Sequence, residues 1–194
     1  MVDGSTRLQE VSVPAPTPLE LPVHVLVLTG SARRDSYTRR LGEALAAGLP
    51  DAVLAPRLTV LPYFDQDLEA TPPAEVEALR AQVRDADAVV VVTPEYNGTV
   101  PGLLGNAVDW LSRPYGAGSL RGKPAVAVAA SPGEVGGARA VVSLRTLLGN
   151  TGADVLGRPI TVGGVARVLD AGAVDEVVEQ VAAALDEALV SAAA

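Results

Sequence analysis

From residue 23 onward, short β-branched runs alternate with longer stretches in which apolar positions recur every three or four residues. Val23-His24-Val25-Leu26-Val27-Leu28 has no polar face, the pattern of a strand buried on both sides. Tyr37, Leu41, Ala44, Leu45 and Gly48 then form a helical stripe. Residues 53–60 read as a second strand, with Pro56 as an interruption. Val76, Leu79, Val83 and Ala86 mark a second helix, entered through Thr71-Pro72-Pro73. Ala88 to Val92 is the clearest strand in the chain. Gly102 to Leu111 reads as helix, Ala125 to Ala129 as strand, and Val141, Leu144 and Leu148 as one face of another helix. Pro159 to Val162 is a short last strand. Val174, Val177, Val178, Val181, Leu185 and Leu189 give a final amphipathic helix.

Five strands separated by helices, with every connection long enough for a crossover, predict an α/β fold: a doubly wound, five-stranded parallel sheet with helices on both faces. The division expected is a proline-rich tail over residues 1–22, extended or mobile, and one domain over 23–194. Sheets of this kind take ligands at the carboxyl ends of their strands, near the topological switch point. The loops after the first, third and fourth strands are therefore the ones to examine.

Composition narrows the chemistry. The 194 residues are 48% hydrophobic and 20% charged, the make-up of one folded domain. A net charge of -8 repels nucleic acid and anionic lipid, so neither is an expected partner. With no apolar segment of membrane-spanning or signal-peptide type, the expected location is cytoplasmic. There is no cysteine and a single histidine, His24, which falls in the first predicted strand and reads as structural. Thiol chemistry and His-rich metal sites are excluded, and a bound cofactor is the natural carrier of the reaction.

The first loop, Thr29 to Thr38, joins a buried strand to a helix start. Ser31, Ser36 and Thr38 offer hydroxyls, Arg33 a positive charge, and the helix its free N–H groups: a setting for phosphate, or simply a capped helix. No G-x-G-x-x-G follows the strand. Gly116 to Gly122 misses that spacing by one place, and Gly122-Lys123-Pro124 lacks the hydroxyl of a P-loop. The second loop, Thr93 to Gly102, carries two prolines and two glycines around Tyr96 and Asn97, suited to presenting backbone and an aromatic face to a planar ligand. The third, Ser131 to Gly137, holds three glycines that permit close approach.

These segments resemble the NADPH-dependent FMN reductase family, flavodoxin-like proteins that include quinone, azo-dye and chromate reductases. The resemblance is carried by Gly30-Ser31-x-Arg33-x-x-Ser36, by Leu61-Pro62-Tyr63-Phe64-Asp65-x-Asp67, and by Thr93-Pro94-Glu95-Tyr96-Asn97-Gly98-x-x-Pro101-Gly102 running into Asn106-Ala107-x-Asp109-Trp110-Leu111-Ser112-Arg113. Ser131 and Gly136-Gly137-Ala138-Arg139 add a further stretch. It implies FMN and NADPH or NADH as cofactors, with a small-molecule electron acceptor: a quinone, azo compound, metal oxyanion or free flavin. The implied cofactor-binding residues are Ser31, Arg33, Ser36, Tyr37 and Thr38 at the phosphate, Pro94, Glu95, Tyr96, Asn97 and Gly98 along the flavin, and Ser131 and Gly133 nearby. Glu95 is included by motif alone and also reads as a structural cap.

No catalytic side chain or metal ligand is implied, because hydride transfer between stacked rings needs neither. The resemblance also implies a homodimer or homotetramer, with Trp110 read as an interface anchor in preference to a core residue. Thr38 and Gly105 depart from the family pattern, which commonly has Asn and Lys there. Two other functions share this scaffold: an electron carrier without a nicotinamide pocket, and a biosynthetic enzyme acting on one metabolite.

Overall fold

The computed structural model describes residues 23–192; the predicted tail, residues 1–22, lies outside the described residues. The sheet contains β1 (Val25–Thr29), β2 (Ala52–Leu54), β3 (Ala88–Thr93), β4 (Pro124–Ala130), β5 (Asp154–Val155) and β6 (Ile160–Val162). Helices α1 (Tyr37–Gly48), α2 (Ala74–Asp85), α3 (Gly102–Leu111), α4 (Ala138–Asn150), α5 (Val165–Asp170) and α6 (Asp175–Ala192) connect and flank the strands. Every strand pair is parallel, in the order β2-β1-β3-β4, with β5 and β6 both on the far edge of β4.

The absence of polar faces on the strands follows from two separate cores. Leu26, Leu28, Val89, Val91, Ala125 and Ala127 pack under α2, α3 and α4. Their alternates Val25, Val27, Val90, Val92, Val126 and Val128 pack under α1 and α6. A side-chain period of two makes each strand serve both faces, so it must be apolar throughout.

Three elements differ from the pattern-based expectation. The strand predicted over 53–60 is three residues long: Ala55 still donates its N–H to Val27 O at 2.9 Å, but Pro56 has no N–H to continue the ladder, and a 3-10 turn follows at Leu58–Val60. The fifth lane of the sheet is split, β5 pairing with Pro124 and Ala125 and β6 with Val128 to Ala130. Trp110 is a core residue rather than an interface anchor. It is 0% exposed, its indole N–H donates to Pro62 O at 2.9 Å, and Phe64 meets its ring edge-on at 4.9 Å. A large aromatic buried within one chain has no face left for a partner.

His24 lies just before β1, where its N–H donates to Asp87 Oδ2 at 2.8 Å. That is the amino edge of the sheet, opposite the three loops, in keeping with a structural role.

Gly105 sits inside α3, and a Cβ built there meets nothing within 4 Å. Gly105→Ala is therefore expected to stabilise the fold by about 1 kcal/mol through helix propensity alone. Urea denaturation should show a higher midpoint at unchanged slope.

Candidate functional site

Thr29 pairs with Val92, and Gly30 N donates to Val92 O at 2.9 Å, so the loops after β1 and β3 leave the sheet side by side. The chain passes from β1 outward to β2 and then returns across to β3, which puts the switch point between these two loops.

In the first loop, Ser36 is the N-cap of α1, its Oγ accepting from Arg39 N at 3.2 Å and lying 2.9 Å from Thr38 Oγ1. Ser31 Oγ accepts from Arg33 N at 3.3 Å. All three hydroxyl residues are buried, at 5% or less exposure, while Arg33 is exposed with its guanidinium 5.9 Å from the Tyr37 ring. None of the hydrogen bonds among the described residues uses the amides of Tyr37 or Thr38. Clustered hydroxyls, two open helix-start amides and a nearby arginine make a donor set matched to a dianion.

The second loop is built by its own turn. Tyr96 and Thr99 exchange both backbone hydrogen bonds at 3.1 Å, with Asn97 at φ 53° and Gly98 at φ 77° between them. Two consecutive positive φ values are what an Asn-Gly pair supplies with least strain. Tyr96 is left 44% exposed at the tip.

Glu95 faces the other way. One carboxylate oxygen accepts from Arg139 Nη2 at 2.6 Å and Nε at 3.0 Å; the other accepts from the amides of Arg139 and Ala140 at 3.1 and 3.3 Å. Its side chain caps α4 and ties the second loop to the third. The motif-based role as a direct flavin contact thus falls on a carboxylate already engaged with protein donors.

Hydrogen bonds from Arg139 and from the α4 amides hold the Glu95 carboxyl below its usual pKa. A depressed carboxyl stabilises the fold above its unfolded pKa and loses that contribution as pH falls through the folded value. The melting-temperature gap between wild type and Glu95→Gln should accordingly be full near neutral pH and close under acid.

In the third loop Ser131 N donates to Val162 O at 3.1 Å, and Ser131 Oγ to Gly133 O at 3.1 Å. Gly133 O also accepts from Gly164 N at 3.1 Å, and a Cβ at Gly163 would collide with Glu134 O. Gly136 and Gly163 serve close packing of these two backbones. Ser131 and Gly133 are fixed at the end of β4, next to the Glu95 tie.

The site residues predicted from sequence are thus brought to one edge of the sheet. Asn106 and Trp110 clasp the 61–65 segment, Asn106 Oδ1 accepting from Phe64 N at 2.7 Å and its amide donating to Pro62 O at 3.0 Å. Arg57 is a residue near the first loop that sequence reasoning did not single out. It follows the strand-breaking Pro56, outside every motif, so nothing in the local pattern marked it.

The family model described as NADPH-dependent FMN reductase matches residues 23–166. The chain belongs to that family. Membership carries the oxidoreductase class and the cofactors FMN and NAD(P)H. A quinone reductase of Escherichia coli (strain K12) is 38% identical over 175 residues, covering 83% of this chain and 93% of that protein. A quinone reductase of Pseudomonas putida (strain KT2440) is 43% identical over 116 residues, which is 58% of this chain and 62% of that relative's length. Among solved structures, the NAD(P)H:(acceptor) oxidoreductase FerB from Paracoccus denitrificans is similar at TM-score 0.68 and 32% identity, covering 84% of this chain and 98% of that one.

The buried hydroxyls and open amides of the first loop fit the phosphate of FMN. Thr38, where the reductase family commonly has Asn, retains a hydroxyl in contact with Ser36. The Gly105 departure leaves no distortion in α3.

Proposed function

We propose that this protein is an NAD(P)H-dependent quinone-type reductase that holds FMN across the three loops. The observation that carries the reading is the donor set at the start of α1, placed at the same sheet edge as the Tyr96–Thr99 turn. Ser31, Arg33, Ser36, Tyr37 and Thr38 bind the phosphate. Pro94, Tyr96, Asn97 and Gly98 line the ring system, Ser131 and Gly133 border it, and Glu95 acts at one remove by fixing the turn against α4. FMN, when bound there, would supply two-electron chemistry between a reduced nicotinamide and the acceptor.

The chain's own contribution is positioning and exclusion of water. The Asn97-Gly98 turn holds its backbone rigid, and pre-ordered donors need no reorganisation during the reaction. Exposed Tyr96 and Val135 offer apolar surface to a planar acceptor. That suits a quinone, the class named for the E. coli relative and, as 2-hydroxy-1,4-benzoquinone, for a Burkholderia relative 39% identical over 127 residues.

A homodimer or homotetramer is the assembly that membership of the reductase family favours. No helix among the described residues is long and apolar enough to cross a membrane.

The test is anaerobic and in two steps. FMN-loaded protein should lose its visible flavin absorbance on adding NADPH or NADH, and regain it on adding a benzoquinone. Bleaching by neither nucleotide would instead indicate an electron carrier. Bleaching without return by the quinone would contradict the acceptor class.

A further inference from the structure

Arg57 sits against the outer side of the first loop, where its guanidinium meets the backbone of Arg33 and Arg34. Arg57 donates from Nη1 to Arg33 O at 3.2 Å and from Nη2 to Arg34 O at a longer 3.5 Å, one planar fork on two consecutive carbonyls. Among the described residues' ion pairs, none engages Arg33, Arg34 or Arg57. Asp35 follows Arg34 in the same loop, and it too is in none of those ion pairs.

The fork also sets the direction of the loop's donors. In a trans peptide the C=O of one residue and the N–H of the next point oppositely. With the carbonyls of Arg33 and Arg34 turned toward Arg57, the N–H groups of Arg34 and Asp35 point to the loop's other face. No hydrogen bond among the described residues uses either of those amides.

The anchor itself is held firmly. Ala55 N is bonded to Val27 O, and Arg39 Nη1 donates to Ala55 O at 2.9 Å, so the segment entering Arg57 is fixed to both β1 and α1. Burial of Leu58 on the following residue holds it from the other side.

We propose that Arg57 is a positioning residue for the cofactor phosphate: it turns the amides of Arg34 and Asp35 toward the anion and adds a positive charge behind them. This rests on the FMN reading above and extends the binding set beyond the family motif. The Arg57 guanidinium faces backbone carbonyls of the first loop, so its expected effect is confined to the phosphate end.

The test compares FMN with riboflavin, which has the same ring system and no phosphate, by titration calorimetry on the full chain. Arg57→Gln is expected to weaken FMN binding roughly tenfold, the equivalent of one charge-assisted hydrogen bond, and to leave riboflavin binding unchanged. Arg57→Lys restores the charge and one donor, and should recover part of the loss. Unchanged FMN affinity in Arg57→Gln would overturn the assignment. So would an equal fall for FMN and riboflavin, which marks a merely structural role. If Arg57→Gln does not fold, Arg57→Lys must itself show a loss confined to FMN, and its absence is equally decisive. Wild-type protein that binds no FMN would overturn the functional reading along with this one, whereas wild-type binding with an indifferent Arg57→Gln overturns this one alone.

Discussion

Ser36→Asp is expected to remove FMN binding while leaving the fold standing. Aspartate is as good an N-cap as serine, so the bond to Arg39 N and the start of α1 survive. The new carboxylate, however, sits beside Thr38 Oγ1 in the cluster that would meet the phosphate. Two like charges within a few ångströms at a buried site disfavour each other by several kcal/mol, so a loss of about 100-fold or more in FMN affinity follows. Thermal melting of the apo-protein should match wild type within a few degrees, and calorimetry should register no FMN binding at micromolar concentrations. A variant that melts like wild type and still binds FMN would mean that the phosphate lies elsewhere.

The second large effect concerns the core. Trp110→Ala should destabilise the protein by about 3–5 kcal/mol, the range for removing a fully buried aromatic. Trp110 joins three segments. Its indole N–H holds Pro62 O, its ring meets Phe64, and its own carbonyl accepts from Arg80 Nε at 3.1 Å. Trp110→Phe keeps much of the volume and loses the hydrogen bond, so it should fall between wild type and Trp110→Ala. Urea midpoints of the three proteins order them directly. Were Trp110 an interface anchor, the change would instead dissociate an oligomer and leave the unfolding of each chain little altered.

What was legible in the sequence, and what was not, divides along physical lines. Doubly buried strands such as Ala88–Thr93 must be apolar throughout, and helices packed on one side must repeat every three to four residues, so both stood out. The strand over 53–60 failed because its hydrophobic residues continue into a 3-10 turn that buries Leu58 against α2 and α3, not into the sheet. Burial, which the pattern reports, is not the same as ladder pairing.

The site divides similarly. Ser31, Ser36 and Thr38 lie within one loop and could be read as a unit. Glu95 could not be separated into ligand or cap from sequence, because its partners are the amides of Arg139 and Ala140, more than forty residues away. Trp110 and Arg57 were opaque for the same reason. A tryptophan near a helix end suits an interface or a core equally well, and only its contact with Pro62, 48 residues distant, decides between them. Arg57 acts through backbone carbonyls of another loop, a partnership without any residue-type signature.

We assign the phosphate of FMN to the loop opening α1. Parallel calorimetric titrations of the wild-type chain with FMN and with riboflavin test it most directly. FMN affinity is expected to be about 100-fold or more above that of riboflavin, since two or more charge-assisted hydrogen bonds distinguish them. Equal affinities for the two would contradict it.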